Sequence, residues 1–329
     1  MQISSSCLIA VAALMSALNA AAAPCVSIGH SRGMGTSSSA EGFDVSEPGT
    51  YCLTEGIASR RKYVISEGGE KSSAGPIGHM GASRVTLDLQ GHELFANALG
   101  EWGVSSGNKR RELVTHVTIK NGTIRSRTSW GIRFVDAFKW DLATPKDDFF
   151  TSSKRVPMLK DADEEEYLSF VALKKSLRTQ FPRTNHHLEA LHVSASYQSV
   201  EIRGAGNLIK ACQIESTQHG VGIDVSGPDQ IIENSTIIVQ AEPGRRAPIV
   251  LKMADNSIIR NNTIVIEGWG DKPDAAISII DSKNVVIENN KIIGVKQLYK
   301  IWDEEPDQKS SVVERGNEFA SGWSRLFGK

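Results

Sequence analysis

A short motif with a polar pair at its centre recurs along this chain and limits what the chain can fold into. Its clearest copy, IRNNTI at Ile259–Ile264, has two asparagines flanked by β-branched residues. Six related segments precede or follow it, most of them 23 to 30 residues from the next, at Leu89–Leu94, Ile119–Ile124, Ile209–Ile214, Ile232–Ile237, Ile287–Ile292 and Val313–Phe319. Seven copies at this spacing indicate an internal repeat.

Each repeat also contains an apolar strand upstream of the pair, such as VGIDV at 221–225 or AISII at 276–280. Strand, turn, strand, corner and strand within one period fit a rung of a right-handed parallel β-helix. The asparagine pair is then a corner inside a rung, because asparagine tolerates the left-handed region and its amide can bond along the stack. We expect Asn261 and Asn289 to form such a ladder. A β-hairpin is excluded, since it would not generate this period.

The two ends of the chain predict an extracytoplasmic protein with a capped solenoid. Residues 1–23 have the pattern of a signal peptide, and their apolar run is too short to span a membrane. We therefore expect a secreted or periplasmic protein. In that oxidising compartment Cys25 and Cys52 are expected to form a disulfide within an N-terminal capping region, residues 24–78.

Residues 79–320 are predicted to form the β-helix, followed by a tail at 321–329. A charged and aromatic insertion at 136–188 interrupts the repeat, and the pattern of residues 161–181 predicts a helix within it. The fold class is thus all-β, a single solenoid with a partly helical insertion. Two interpretations of the insertion remain open, a helix packed on the side of the solenoid and a wall beside a binding groove.

The charge balance argues against polyanionic partners. With 37 basic and 38 acidic residues the net charge is −1, so nothing in it favours nucleic acid or an anionic membrane. No spacing of histidines matches a metal-ligand pattern, so no metal site is predicted. His79 is assigned to a glycine-rich loop.

The repeats resemble the pectate-lyase-like superfamily of right-handed parallel β-helix proteins. The resemblance covers about 80–135 and 190–320 and is carried by TLDLQGHEL, HVTIKNGTI, NSIIRNNTI and NVVIENNKI. It implies a protein that acts on a polysaccharide, often an acidic one, as a lyase, epimerase or hydrolase. The superfamily also has non-catalytic members, so a glycan-binding or periplasmic assembly protein is the alternative. QHGVGIDVSG at 218–227 is similar to the histidine element of polygalacturonases, but their other catalytic motifs are absent.

The resemblance places substrate on the outer face of the first strand of each rung. Strand alternation turns Asp224 outward between Ile223 and Val225. Lys252 lies at the next outward position along its strand. Aligning the rungs on their apolar residues then predicts one outward column of Ser105, Arg133, Glu201, Asp224, Val250 and Ser278.

A second register is equally compatible with the sequence. It makes residues 191–193 the first strand of their rung, which brings His192 into the column and moves Glu201 to a side face. The sequence leaves both registers open.

The candidate site residues follow from these columns. Arginine would neutralise a uronate carboxylate while a histidine or lysine takes its C5 proton. Alternatively, two carboxylates on adjacent rungs would serve acid/base hydrolysis or hold a divalent cation, which leaves the cofactor open. A plain set of solvated ion pairs is the third interpretation. The candidates for catalysis are His192, Glu201, Asp224 and His219, and those for binding a polysaccharide or oligosaccharide are Arg133, Lys252 and Trp130.

Overall fold

The computed structural model describes residues 25–29, 42–58, 76–97, 101–106, 113–135, 181–218, 220–240, 247–268, 273–303 and 309–320. Every helix or strand within these ranges is a β-strand. The predicted signal peptide, nearly all of the predicted helix at 161–181, His219 and the tail lie outside the described residues.

The strands are numbered in chain order. They are β1 Val26–Ile28, β2 Phe43–Val45, β3 Gly49–Leu53, β4 Ile57–Ala58, β5 Pro76–Met80, β6 Val85–Asp88, β7 Glu93–Ala96, β8 Trp102–Ser106, β9 Val117–Ser126, β10 Ile132–Phe134, β11 His187–Ala195, β12 Gln198–Arg203, β13 Leu208–Lys210, β14 Gln213–Ser216, β15 Val221–Ser226, β16 Ile231–Glu233, β17 Thr236–Gln240, β18 Ile249–Lys252, β19 Ile258–Arg260, β20 Thr263–Glu267, β21 Ile277–Ile280, β22 Val285–Glu288, β23 Lys291–Ile293, β24 Tyr299–Ile301, β25 Val312–Arg315 and β26 Glu318–Ala320.

All strand pairs are parallel, and they form three stacks around one interior. The nine-stranded sheet contains β2, β5, β8, β10, β12, β15, β18, β21 and β24. The seventeen-stranded sheet bends into two stacks, which share β9 and β11. The first of these stacks contains β1, β3, β6, β9, β11, β13, β16, β19, β22 and β25, and the second contains β4, β7, β9, β11, β14, β17, β20, β23 and β26. The described residues thus form the predicted solenoid of parallel strands, and the predicted helical insertion lies almost entirely outside them.

Aliphatic side chains aligned from rung to rung fill the interior. Along the first stack the buried ladder is Leu87, Ile119, Leu188, Ile209, Ile232, Ile259 and Ile287. Along the second it is Leu94, Ile124, Val193, Ile214, Ile237, Ile264 and Ile292. Such side chains suit a half-buried pleated strand and pack well between neighbours above and below.

The recurring polar pair lies at the corner between the first and second stacks, as predicted. The first residue of each pair has a positive φ, which non-glycine residues adopt at a cost unless they are asparagine or aspartate. These corner residues are Gln90, Asn121, Ala190, Ala211, Asn234, Asn261, Asn289 and Gly316. One of them, Ala190, marks a rung that the sequence motif did not reveal.

The asparagine ladder is one position later than predicted. Asn261 and Asn289 are exposed at the turn, so the expectation that they stack with each other is wrong. It is Asn262 and Asn290 that turn inward and bond along the stack. Nδ2 of Asn262 donates to Oδ1 of Asn290 at 3.0 Å, and Nδ2 of Asn290 donates to Oδ1 of Asn317 at 3.0 Å. The pair therefore divides two tasks, backbone reversal and buried hydrogen bonding.

Stacking begins before residue 79 and continues to the last described strand. β1 to β5 already pair within both sheets, with β1 on β3 and β2 on β5. The predicted disulfide is present: Cys25 and Cys52 are bonded, and they lie beside the β1–β3 pair. At the other end β25 and β26 form the last rung, in which Val313 and Phe319 are exposed.

A buried histidine adjoins the interior where β11 begins. The ring of His186 lies 4.7 Å from that of Phe134, and its Nδ1 accepts a hydrogen bond from the amide of Val117 at 3.3 Å. Burial lowers the pKa of His186 from 6.5 to about 3, with nearby His116 as a smaller cause. The imidazole is therefore neutral in the folded protein at physiological pH.

Replacing Asn262 with leucine should destabilise the stack. Asn262 is 1% exposed, and the change leaves the amide of Ser235, the carbonyl of Ile232 and Oδ1 of Asn290 each without one hydrogen bond. We expect a loss of at least about 1–3 kcal/mol in urea unfolding of the protein. Asn261→Gly is the matched control, since glycine keeps the positive φ, and its midpoint should stay within about 1 kcal/mol of the parent's. Equal midpoints for the two variants would contradict the ladder.

His186 should make the protein sensitive to acid. Between pH 6.5 and about 3 the unfolded chain binds a proton at this residue that the folded chain does not. The unfolding free energy should therefore fall with falling pH, by up to about 1.4 kcal/mol per unit. His186→Gln removes this contribution, so a stability deficit measured at pH 7 to 8 should shrink as the pH approaches 4. A deficit of constant size would show that His186 binds its proton equally in both states.

Candidate functional site

The outer face of the nine-stranded sheet carries one continuous column of side chains. Backbone register aligns Arg133 with Glu201, and Glu201 with Asp224. This is the first of the two predicted registers. The whole column is Asp44, His79, Ser105, Arg133, Glu201, Asp224, Val250, Ser278 and Lys300. Two rungs at the N-terminal end and one at the C-terminal end were not foreseen.

Aromatic rings gather beside the centre of the column. Trp130 meets Trp102 edge-on with centroids 5.9 Å apart, and it meets Tyr197 in the same way at 5.0 Å. The guanidinium of Arg133 lies 4.6 Å from the ring centroid of Trp130 and 5.2 Å from that of Trp102. Arg133 is thereby held in place by two cation–π contacts. All four side chains are only partly buried, so their edges remain accessible to a ligand.

Glu201 fixes this arginine from the opposite side. Its Oε2 accepts a hydrogen bond from Nε of Arg133 at 3.0 Å, and its Oε1 accepts one from Nη2 of Arg203 at 3.0 Å. Glu201 is only 6% exposed, so a carboxylate without these partners would be costly there. Glu201 is therefore an anchor for two arginines.

Asp224 and Lys252 form a second pair one rung further on. Nζ of Lys252 donates to Oδ2 of Asp224 at 2.9 Å, and Nε2 of Gln198 donates to the same oxygen at 3.1 Å. Oε1 of Gln198 in turn accepts a hydrogen bond from the indole of Trp130 at 2.9 Å. A chain of contacts thus runs from Lys252 back to the aromatic rings.

These pairings correct the picture of a solvated charged face. Glu201, Asp224 and Lys252 project from the outer face but are each less than a tenth exposed. Each carboxylate already accepts from two donors, which is an arrangement that orients cations rather than one that holds a proton for transfer. Phe181, the one described residue of the predicted helix, packs against Gly227 just after β15. The chain thus rejoins the solenoid close to this network.

One predicted catalytic histidine, His192, does not join the column. His192 lies on β11 in the second stack, aligned with Thr123 and Gln213. Its Nε2 is 3.3 Å from Oε1 of Glu215, on the outside of a different face. The register that placed His192 beside Arg133 is therefore wrong, because the Ala190 corner makes residues 191–193 part of the other sheet. His219 lies outside the described residues.

The sequence interpretation missed several residues that the register brings to this face. His79 lies on β5, not in a loop, and its Nδ1 is 3.1 Å from Oδ1 of Asp44. The alternation that marks an outward polar residue was present in FDV at 43–45 and GHM at 78–80, where apolar or small residues flank a polar one. Gln198 and Trp102 lie at the starts of their strands, where alternation alone does not assign a face.

The described ranges hold no cluster of three or more His, Cys, Asp or Glu residues suited to a metal ion. Within the same ranges no helix has the length and apolar character needed to cross a membrane. Cys212, buried at the corner, donates from its Sγ to the carbonyl of Lys210 at 3.2 Å. Burial raises the pKa of the Cys212 thiol to about 11, so it is not a nucleophile at neutral pH.

Comparisons with known proteins support the architecture alone. Neither the curated proteins nor the solved structures give a match to this chain. The family model described as "Right handed beta helix region" matches residues 183–320. The matched range includes the described rungs from β11 to β26, and the rungs before it continue the same parallel stacks. We therefore identify residues 183–320 as a right-handed β-helix region.

Proposed function

We propose that this protein recognises an acidic polysaccharide along the outer face of its nine-stranded sheet. The observation that carries the proposal is Arg133 held against Trp102 and Trp130 with part of its guanidinium uncommitted. Glu201 engages Nε, whereas the two Nη atoms have no hydrogen-bond partner among the described residues. A guanidinium with free Nη donors suits a planar carboxylate such as that of a uronic acid.

The surroundings of Arg133 suit a sugar chain. Aromatic faces and edges offer apolar contact to pyranose C–H groups, while polar groups around them orient hydroxyls. Rungs repeat about 4.8 Å apart, so a column of side chains can contact an extended ligand at several points. Three cations, Arg133, Arg203 and Lys252, face two carboxylates, Glu201 and Asp224. The Nη donors of Arg133 favour an anionic ligand over a cationic one.

The same contacts favour recognition over cleavage of the glycan backbone at this place. Elimination needs a base beside the arginine, but His192 lies on another face and Ser105 lies between His79 and Arg133 in the column. Acid/base hydrolysis needs one protonated carboxyl group, but Glu201 and Asp224 each accept hydrogen bonds from cationic partners. The disulfide supports an extracytoplasmic location, where such glycans occur.

Arg133→Ala should weaken binding of polyuronides. Loss of charge-assisted hydrogen bonds is worth about 1.5–3 kcal/mol, or roughly a 10- to 150-fold increase in Kd. Calorimetric titration of the mature protein with polyuronides and with neutral glycans measures this, and parent affinity for the polyuronide should fall as salt rises. Trp130→Ala should weaken binding of the same ligand.

Arg260→Ala is the matched control. Arg260 makes a comparable pair with Glu233, but it lies on the seventeen-stranded sheet. Its removal takes away the same charge and should leave Kd unchanged, as should His192→Ala. If Arg133→Ala and Trp130→Ala bind as tightly as Arg260→Ala, the outer face of the nine-stranded sheet is not the recognition surface. Unsaturated uronate or new reducing ends in the same mixtures would show that the glycan backbone is cleaved after all.

A further inference from the structure

The N-terminal end of the outward column holds an acid, an imidazole and a hydroxyl on three successive rungs. Register aligns Asp44 on β2 with His79 on β5, and His79 with Ser105 on β8. Neighbouring residues in each strand, such as Val45, Met80 and Val104, are buried in the interior. Alternation therefore turns the three polar side chains to the outer face, with the histidine between the other two.

Asp44 orients the imidazole for proton transfer. Nδ1 of His79 lies 3.1 Å from Oδ1 of Asp44, and because a carboxylate only accepts, Nδ1 must be the donor. The lone pair of the neutral ring is then on Nε2, which has no hydrogen-bond partner among the described residues. The side chains of His79 and Asp44 are 32% and 46% exposed, so solvent and a ligand can reach the pair.

Ser105 completes the set on the side away from Asp44. The hydroxyl of this buried serine makes no hydrogen bond to a described residue. No hydrogen bond joins it to His79 in the free protein, and such contacts commonly tighten only when substrate binds. On the following rung Ser105 is aligned with Arg133, whose uncommitted Nη donors offer positive charge for an oxyanion.

We propose that Asp44, His79 and Ser105 form a nucleophilic relay that hydrolyses O-acyl esters of a polysaccharide. Ester groups are the substrate class because a serine, an oriented imidazole and a nearby cation are what acyl transfer requires. The glycan part of this assignment rests on the proposed function, since Ser105 borders the Arg133 surface. The ester chemistry itself does not depend on it.

The reaction proceeds in two balanced halves. Nε2 of His79 takes the proton of Ser105 as its Oγ bonds to the ester carbonyl carbon, and the oxyanion that forms faces Arg133. The bond between the carbonyl carbon and the sugar oxygen then breaks. The sugar oxygen takes the proton from His79, and an acyl-serine remains. Water, activated by His79, attacks this acyl group and releases the carboxylic acid and the free serine.

The first experiment tests the relay without a glycan. The mature protein is treated with a fluorophosphonate probe, and hydrolysis of p-nitrophenyl acetate is followed in parallel. We expect the probe on Ser105 by peptide mass spectrometry, with its loss in Ser105→Ala. His79→Gln and Asp44→Asn should lower the hydrolysis rate by roughly 10²- to 10⁴-fold. Melting temperatures of all variants establish that they are folded.

Ser278→Ala is the matched control. Ser278 lies in the same outward column, but its neighbours are Val250 and Lys300 rather than an acid and an imidazole. This variant should label and hydrolyse like the parent. An unlabelled Ser105, or hydrolysis by Ser105→Ala equal to that of the parent and of Ser278→Ala, would overturn the relay.

A second experiment separates the relay from glycan recognition. O-acetylated polyuronide is incubated with the parent and with Ser105→Ala, and both released acetate and affinity are measured. Acetate release by the parent alone supports the full proposal. Labelling of Ser105 without polyuronide affinity would reject the proposed function while leaving the relay intact. Affinity without labelling would reject the relay and leave recognition intact.

Discussion

The structure depends on one corner, at which a residue in the left-handed conformation is followed by an inward polar side chain. The left-handed residue turns the chain from the first stack into the second stack. The inward side chain after it bonds to its equivalent on the next rung. Asn262 shows how the inward side chain joins rungs, since its Nδ2 donates to the carbonyl of Ile232 on the preceding rung and to Oδ1 of Asn290 on the following one. Parallel stacking in register follows, because a shift of one residue would bury the wrong face of every strand.

This corner also explains how the solenoid tolerates a long interruption. Sixty residues separate β9 from β11, yet the two strands pair in register on both sides of their corners at Asn121 and Ala190. Loop closure costs little more for a long loop than for a medium one. The rungs before and after the interruption therefore lie next to each other. Arg133 and Glu201 are in contact across them, although the two residues lie 68 positions apart in the sequence.

Much of this fold could be predicted from the sequence because the corner motif is local. The period and the parallel stacks follow from it, and strand alternation on the aligned rungs gives the outward Arg133–Glu201–Asp224 column. The disulfide was predicted separately, from the oxidising compartment that the N-terminal segment indicates. The register at 190–204 could not be settled, because the corner of that rung is Glu189–Leu191 and has no asparagine to mark it. Which asparagine of the pair is buried also escaped prediction, since both satisfy the same local preference and only stacking distinguishes them.

The site was harder to predict because its geometry arises between rungs. Strand alternation indicates that Glu201 and Asp224 point outward. It does not show that their carboxylate oxygens already accept hydrogen bonds from cations and from Gln198. Nor does it show that two tryptophans flank Arg133, since those rings lie near strand starts. His79 was hidden by the glycine and proline around it. These residues meet only because the rungs align them, so the site depends on the register.

The register can be measured directly by engineered disulfides in the protein. Arg133→Cys with Glu201→Cys places two thiols at aligned positions of adjacent strands, about 4.8 Å apart between backbones and within disulfide range. Mild oxidation should close this pair rapidly. Arg133→Cys with His192→Cys should remain reduced, because the two residues lie on different faces of the solenoid. Closure of the second pair and not the first would contradict the column, and with it the binding surface and the relay built on it.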